Sequence, residues 1–264
     1  MRQLRAALLA GTALSLGMVA YGGQASADCS DPVDGVVTCP PGEYDTITYT
    51  DPEDPTFVLN VGEEGQVTTV TPAMDEHGVA VYHKRGSPSD PDITVNVIGD
   101  VTIGTKENGG RAGIAVNNTL PGNKSGKITV NSNAVIEAKE EGIKIKAAGD
   151  AAASNTGKIT SNFQGIYIDA NGNAIALNEA TGEINSQRHG IDVDAGGTTS
   201  VTNAGEIESK WDGIRARAKG DVTVNNSGII TADDGGIDAL SQEGDVIVNG
   251  TGGTITANDG RGIY

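Results

Sequence analysis

The sequence is short of most of what builds a conventional globular core. Aromatic residues are 3% of its 264 positions, with one Trp and two Phe. A core of large rings is therefore excluded, and burial has to rest on small and β-branched side chains. Positive charge is also scarce: 18 Lys and Arg stand against 35 Asp and Glu, a formal net charge of −17. That balance argues against nucleic acid or an anionic membrane surface as partner, since both require clustered cations. The three histidines, His77, His83 and His189, are too dispersed to nominate a metal centre. No long stretch carries apolar residues at i, i+3, i+4 and i+7, so helices are not expected. Also missing are a Ser-His-Asp arrangement, a phosphate loop, a dinucleotide fingerprint and the calcium-binding G-G-x-G-x-D nonapeptide, so no cofactor is expected.

What is abundant is Gly, at 38 residues, with no three-residue period. Collagen is thereby excluded, and the glycines fall at fixed places between β-branched runs, as turn punctuation. The unit N-x-G-x-I followed by G-I occurs twice between Val201 and Ala239. Asn203, Gly205, Ile207, Gly213 and Ile214 are answered 23 residues later by Asn226, Gly228, Ile230, Gly236 and Ile237. G-I pairs begin at Gly113, Gly142, Gly165, Gly190, Gly213, Gly236 and Gly262, spaced 29, 23, 25, 23, 23 and 26 residues. An earlier isoleucine marks each preceding strand, and the extra length of the 25-residue unit sits in one loop, Asn178 to Gly182. Each unit holds three short alternating runs, such as Val222–Asn225, Ile229–Ala232 and Ile237–Leu240. The pattern predicts an all-β, right-handed parallel β-helix with three short strands per rung of about 23 residues. Asn at a recurrent corner would stack as an amide ladder, and Gly before Ile would allow a positive φ.

Residues 1–27 read as a signal peptide: a basic start through Arg5, an apolar run from Ala6 to Ala20, and Ala25-Ser26-Ala27 before cleavage at Asp28. A membrane anchor is the other reading of that run, and no span is expected in the mature chain. Export implies an oxidising compartment, so Cys29 and Cys39 are expected to form one disulfide; a metal site or nucleophile there lacks nearby His. Residues 28–91 read as an irregular N-terminal cap with one or two degenerate rungs, including Gly78-Val79 as a weak G-I. Pro-bearing turns fall at Asp51–Pro55 and Gly86–Pro91. Residues 92–264 hold the regular repeats, and the last, at Gly262-Ile263-Tyr264, stops within a rung.

In the strand after each G-I, Lys144, Tyr167, Asp192, Arg215 and Asp238 form one column expected to face out. Lys146, Asp169, Asp194, Arg217 and Leu240 form a second. Between them Ile145, Ile168, Val193, Ala216 and Ala239 are expected to face in. Asp192–Arg215–Asp238 and Asp194–Arg217 then become cross-rung neighbours of opposite sign. Three residues before each G-I isoleucine come Glu140, Phe163, Arg188, Trp211 and Asp234. Phe163, Arg188 and Trp211 would stack, and with His189 they form a candidate surface for a glycan or peptide. The same aromatics would equally serve to shield a turn. Carbohydrate-active enzymes also use this fold, and Asp169, Asp192, Asp194 and Asp238 with Arg215 and Arg217 would be the candidate centre. Their alternation in columns fits surface ladders better than a convergent site, so no catalytic residue is assigned.

The export signal, the acidic Gly/Asn/Thr composition and the N-x-G-x-I…G-I units resemble the passenger domains of autotransporters, the type V secreted proteins of Gram-negative bacteria. The resemblance covers most of residues 92–264 and the signal. It implies a chain displayed at the cell surface or released, serving adhesion or surface structure, with a host, matrix or glycan receptor as partner. It also implies an outer-membrane translocator barrel where the full gene encodes one. No barrel strands follow the repeats here, so a periplasmic location is the alternative expectation. An N-P-N-type motif and coiled-coil heptads, marks of related secretion classes, are absent. The competing expectation is a secreted polysaccharide lyase or hydrolase on the same fold.

Overall fold

The computed structural model describes residues 28–50, 55–73, 75–83, 91–104, 111–119 and 125–264. The proposed signal peptide and most of the turns at 51–55 and 86–91 lie outside the described residues. Among those described there is no helix, and every strand is six residues or shorter. They form three parallel sheets, two of nine strands and one of eight. Consecutive strands go to the first, second and third sheet in turn, so each pairs with its equivalent one rung on. The result is the expected parallel β-helix. In the repeat that defined the pattern, the strands are Val222–Asn226, Ile229–Ala232 and Ile237–Ser241.

Parallel pairing without helical crossovers works here because each strand is short and the chain turns after four or five residues. Alternation then sends every second side chain inward. Ile136, Ile159, Ile184, Ile207 and Ile230 form one buried column in the second sheet. Ile114, Ile143, Ile166, Ile191, Ile214 and Ile237 form another in the third. Both are held in exact register by the ladder, with Ile143 opposite Ile166 and Ile166 opposite Ile191. In the first sheet the inward positions narrow to Ala151, Ala153, Ala174 and Ala176, which sets how closely the sheets meet. Buried apolar surface of this kind contributes roughly 25 cal/mol per Å².

The glycines of the G-I pairs from Gly113 to Gly236 are required for a reason other than the one their sequence suggests. Among the described residues positive φ is confined to Asp34 and to Gly35, Gly62, Gly65, Gly99, Gly104 and Gly252, none of them in a G-I pair. The requirement is close approach. A methyl at Gly142 would collide with Ile159 Cγ2 and lie 2.7 Å from Gly165 O, and Gly165 and Gly213 meet the same obstacles one rung further on. Glycine thus lets the corner backbone sit directly against the isoleucine column of the next rung.

The recurrent Asn does form a ladder. Asn155 Nδ2 donates to Asn178 Oδ1 at 2.9 Å, Asn178 to Asn203 at 2.8 Å and Asn203 to Asn226 at 2.8 Å, all four side chains being buried. A second, more exposed ladder runs Asn131 to Asn96 to Asn60. The five-residue loop Asn178–Gly182 closes with Gly182 N donating to Glu179 O, so the extra residues leave the ladder undisturbed.

The stretch around the cysteines is more regular than its Pro and Asp content suggests. Val36–Cys39, Glu43–Tyr44 and Ile47–Thr50 make a full rung, paired to Thr56–Val61, Val67–Val70 and Val79–Tyr82. Tertiary pairing overrides local composition here, because the rung already beside it offers three strand edges. Gly78-Val79 aligns with Gly113-Ile114, as a weak G-I should. The disulfide Cys29–Cys39 ties the segment ahead of the first strand to that strand's last residue, with Cα atoms 4.0 Å apart. Two of the rare aromatics, Tyr49 and Phe57, pack together at 5.5 Å.

Removing one amide from the buried ladder, at Asn178, takes the partner from one N–H of Asn155 and from Asn203 Oδ1. Asn178→Ala is expected to destabilise the chain by about 2–4 kcal/mol, two unsatisfied buried groups at about 1–2 each. Urea unfolding of the variant against the parent checks this; a midpoint shift within error would mean the ladder carries no stability.

Candidate functional site

Three elements meet along the third sheet: the strands after each G-I, the turns before them, and the outer edge of the second sheet. In the turns the backbone keeps its rung-to-rung bonding, Phe163 N to Glu140 O, Arg188 N to Phe163 O and Trp211 N to Arg188 O. The side chains at these positions must therefore stack. The Arg188 guanidinium lies 4.1 Å from the Phe163 ring centroid and 5.0 Å from that of Trp211. Each such contact contributes about 0.5–1 kcal/mol at an exposed site. Trp211 remains 46% exposed, the most open of the three. His189, grouped with them from the sequence, is 4% exposed. It packs edge-on beneath Trp211 at 5.2 Å and approaches Asp212 Oδ2 with Nδ1 at 3.2 Å. His189 thus supports the stack from below rather than facing solvent.

Asp212 is itself buried. Burial pushes its carboxyl upward, but the close approach of His189 and the hydrogen bond from Tyr264 Oη (2.5 Å) outweigh this and hold it below the ordinary range.

The charged columns pair in the expected register but not always with the directly opposite partner. Asp192 faces Arg215 and Arg215 faces Asp238; Asp194 faces Arg217. Arg215 contacts Asp192 through Nε at 2.8 Å and Asp194 through Nη2 at 3.2 Å, while Arg217 reaches diagonally to Asp238 at 2.8 Å. A long guanidinium spans the diagonal as readily as the direct step, so it takes whichever carboxylate aligns. The Nε approach to Asp192 is off the N–H direction, a charge contact rather than a directed hydrogen bond.

Asp192 was expected on an outward column and is outward, yet it is 1% exposed. Gln164 donates to it at 3.0 Å and the Arg215 side chain lies over it. Burial raises its pKa above the ordinary value, with Arg215, Gln164 and His189 pulling the other way. Tyr167, in the same column, is pushed up to about 12, by burial first and by Asp169 and Asp192 next. Each acidic residue considered for catalysis has a cationic neighbour: Asp192 lies beneath Arg215, Asp194 on Arg215 at 3.2 Å, Asp238 on Arg217, and Asp169 near Lys146 at 3.8 Å. Among the described residues no three His, Cys, Asp or Glu side chains gather as a metal site.

Beside the stack, the outer face of the second sheet forms a shallow groove of about 720 Å³. Asn162 and Gln187, the residues just before Phe163 and Arg188, are one wall; Lys158, Glu183, Glu206 and Glu208 project from the floor. Lys158 pairs with Glu183 at 2.7 Å. The sequence reading passed over this groove, although Lys158, Glu183 and Glu206 stand at equivalent positions of three successive units. Compared with protein-family models, curated proteins and solved structures, the chain matches none.

Because Asp192 has a raised pKa, its charge opposes folding: stability is greatest below its unfolded value and is lost as pH rises through the folded one. Arg215→Gln removes the main counter-charge. The variant is expected to lose about 2–3 kcal/mol at pH 7, less than for a fully buried pair because Arg215 is partly exposed. That loss should shrink as pH falls and Asp192 protonates. Unfolding curves at pH 7 and pH 4.5 check it; an equal loss at both would place the effect elsewhere.

Proposed function

We propose that the chain is a secreted or surface-displayed scaffold, akin to an autotransporter passenger, that binds rather than converts its ligand. The observation that carries this reading is the Phe163–Arg188–Trp211 stack: an exposed Trp ring fixed in place by a guanidinium, itself fixed by a second ring. A rigid ring face of this kind suits the C–H face of a sugar, and the neighbouring groove supplies carboxylate and amide groups for its hydroxyls. An extended glycan lying across several rungs would use both, and repetition along the helix favours multivalent attachment. The disulfide supports an oxidising location. No helix among the described residues is long and apolar enough to cross a membrane. The chemical alternative, a polysaccharide lyase or hydrolase, would need acidic or basic groups converging on an open centre, whereas Asp192 and His189 are covered.

Trp211→Ala is expected to weaken binding to a retained glycan about three- to tenfold, the loss of one aromatic face, and Arg188→Ala to do the same by releasing the Trp ring. Glycan-array binding of the intact chain followed by titration checks this. Release of reducing or unsaturated sugar from an acidic polysaccharide, abolished by Asp192→Ala, would overturn the non-enzymatic reading.

A further inference from the structure

A second hollow opens on the outer face of the third sheet, two rungs nearer the start of the chain. It arises from a gap in a column. Thr48, Ala80, Ala115, Lys144, Tyr167 and Asp192 occupy equivalent outward positions on successive rungs. Two of them in a row, Ala80 and Ala115, carry only a methyl, and both are nearly fully covered, at 1% and 3% exposure. Longer side chains from the flanking positions stand over them, leaving a space of about 210 Å³.

The groups around this space are almost all donors. Arg111, Lys144 and Lys146 line it, on a chain whose formal charge is −17. Their carboxylate partners are Glu140 at 3.1 Å, Glu141 at 3.0 Å and Asp169 at 3.8 Å. None of those carboxylates lines the hollow. They steady the cations without using all their N–H groups, of which a guanidinium has five and an ammonium three.

His77 and Asn117 are fixed in the same sense. Ala112 N donates to His77 Nδ1 at 3.0 Å, so the neutral ring carries its proton on Nε2 and presents it as a donor. Burial, with Arg111 and Lys144 nearby, lowers the His77 pKa against the opposite pull of Glu140 and Glu141, and keeps the ring neutral near pH 7. Asn117 Oδ1 already accepts from Thr119 N and Oγ1, at 2.9 and 2.8 Å, which leaves its NH₂ as the available end. Tyr82 adds a ring 6.1 Å from that of His77, and the Ala115 methyl makes an apolar floor.

The geometry points to a binding site for one anionic sugar residue, bearing a carboxylate or a sulfate ester, in the hollow bounded by His77, Tyr82, Arg111, Asn117, Lys144 and Lys146. The anionic group meets the three cations, the ring hydroxyls meet His77 Nε2–H and Asn117 Nδ2, and the C–H face lies on Ala115 and Tyr82. At about 210 Å³ the hollow is larger than a bare oxyanion fills. The site shares no residue with the Phe163–Arg188–Trp211 surface and does not depend on what that surface binds.

The test is titration of the intact chain with glucuronate, glucose 6-sulfate, glucose and inorganic sulfate, followed by amide chemical shifts. Saturable shifts at residues 77–82, 111–117 and 144–146 are expected with an anionic sugar, with glucose about tenfold weaker or more, the loss of one charged contact. Preference for glucuronate identifies a carboxylated glycan, and preference for the sulfate ester a sulfated one. Ala115→Leu, which fills the hollow, and Lys146→Glu, a half-exposed change that spares the core, should each lower affinity about tenfold or more. Lys219→Gln, an exposed lysine on a later rung, should leave it unchanged. Inorganic sulfate binding as tightly as the sugars, glucose binding equally well, or no saturable shift at all would each overturn the proposal.

Discussion

Everything in this molecule depends on how closely one rung can approach the next at the corner before the third sheet. There the backbone of the G-I glycines from Gly113 to Gly236 rests on the isoleucine of the following rung, with no room for a methyl. This contact, repeated from Gly113 to Gly236, fixes the spacing of rungs and the point at which the chain turns. The buried Asn155–Asn178–Asn203–Asn226 ladder performs the same service at the corner between the first and second sheets through directed hydrogen bonds. With two corners fixed, a slip of one residue would expose a whole isoleucine column and bury a charged one, so register is strongly determined. A solenoid built this way draws its stability from nearest-neighbour interfaces rather than from a single centre.

Much of the fold was legible because the same physical demands recur every 23 or so residues. Ile207 and Ile230, or Asn203 and Asn226, occupy identical environments, so spacing alone reveals both the rung length and the inward columns. Legibility failed where one rung departs from the rest. The stretch from Val36 to Thr50 has strand edges beside it that its Pro and Asp do not advertise, so its three strands emerge only from pairing. The glycine requirement was visible, but its cause was not: φ and close approach leave the same mark in a sequence, and the backbone distinguishes them.

The surface was legible as columns and not as contacts. Stacking of Phe163, Arg188 and Trp211 followed from their common position, since backbone bonding runs straight through the turns. The burial of Asp192 and His189 did not, because it depends on how Arg215 and Trp211 fold over their neighbours. The same holds for the donor-lined hollow over Ala115. Its signal in the sequence is two alanines where later rungs carry Lys, Tyr and Asp, a pattern that gains meaning only once the flanking side chains are placed. A rigid core of repeated small residues thus leaves the outward columns free to vary, and the chemistry of this chain is written in those variations.

The central claim is that successive units stack in register, so that residues 163, 188 and 211 lie on adjacent rungs of one column. Paired cysteine substitution tests it most directly. Adjacent rungs are about 4.8 Å apart, within the Cα separation a disulfide allows, whereas two rungs span about 9.6 Å, beyond the ~7 Å limit. Phe163→Cys combined with Arg188→Cys should therefore cross-link on oxidation, and Arg188→Cys with Trp211→Cys likewise, while Phe163→Cys with Trp211→Cys should not. Cross-linking of the 163/211 pair, or failure of both adjacent pairs in a folded chain, would contradict the account.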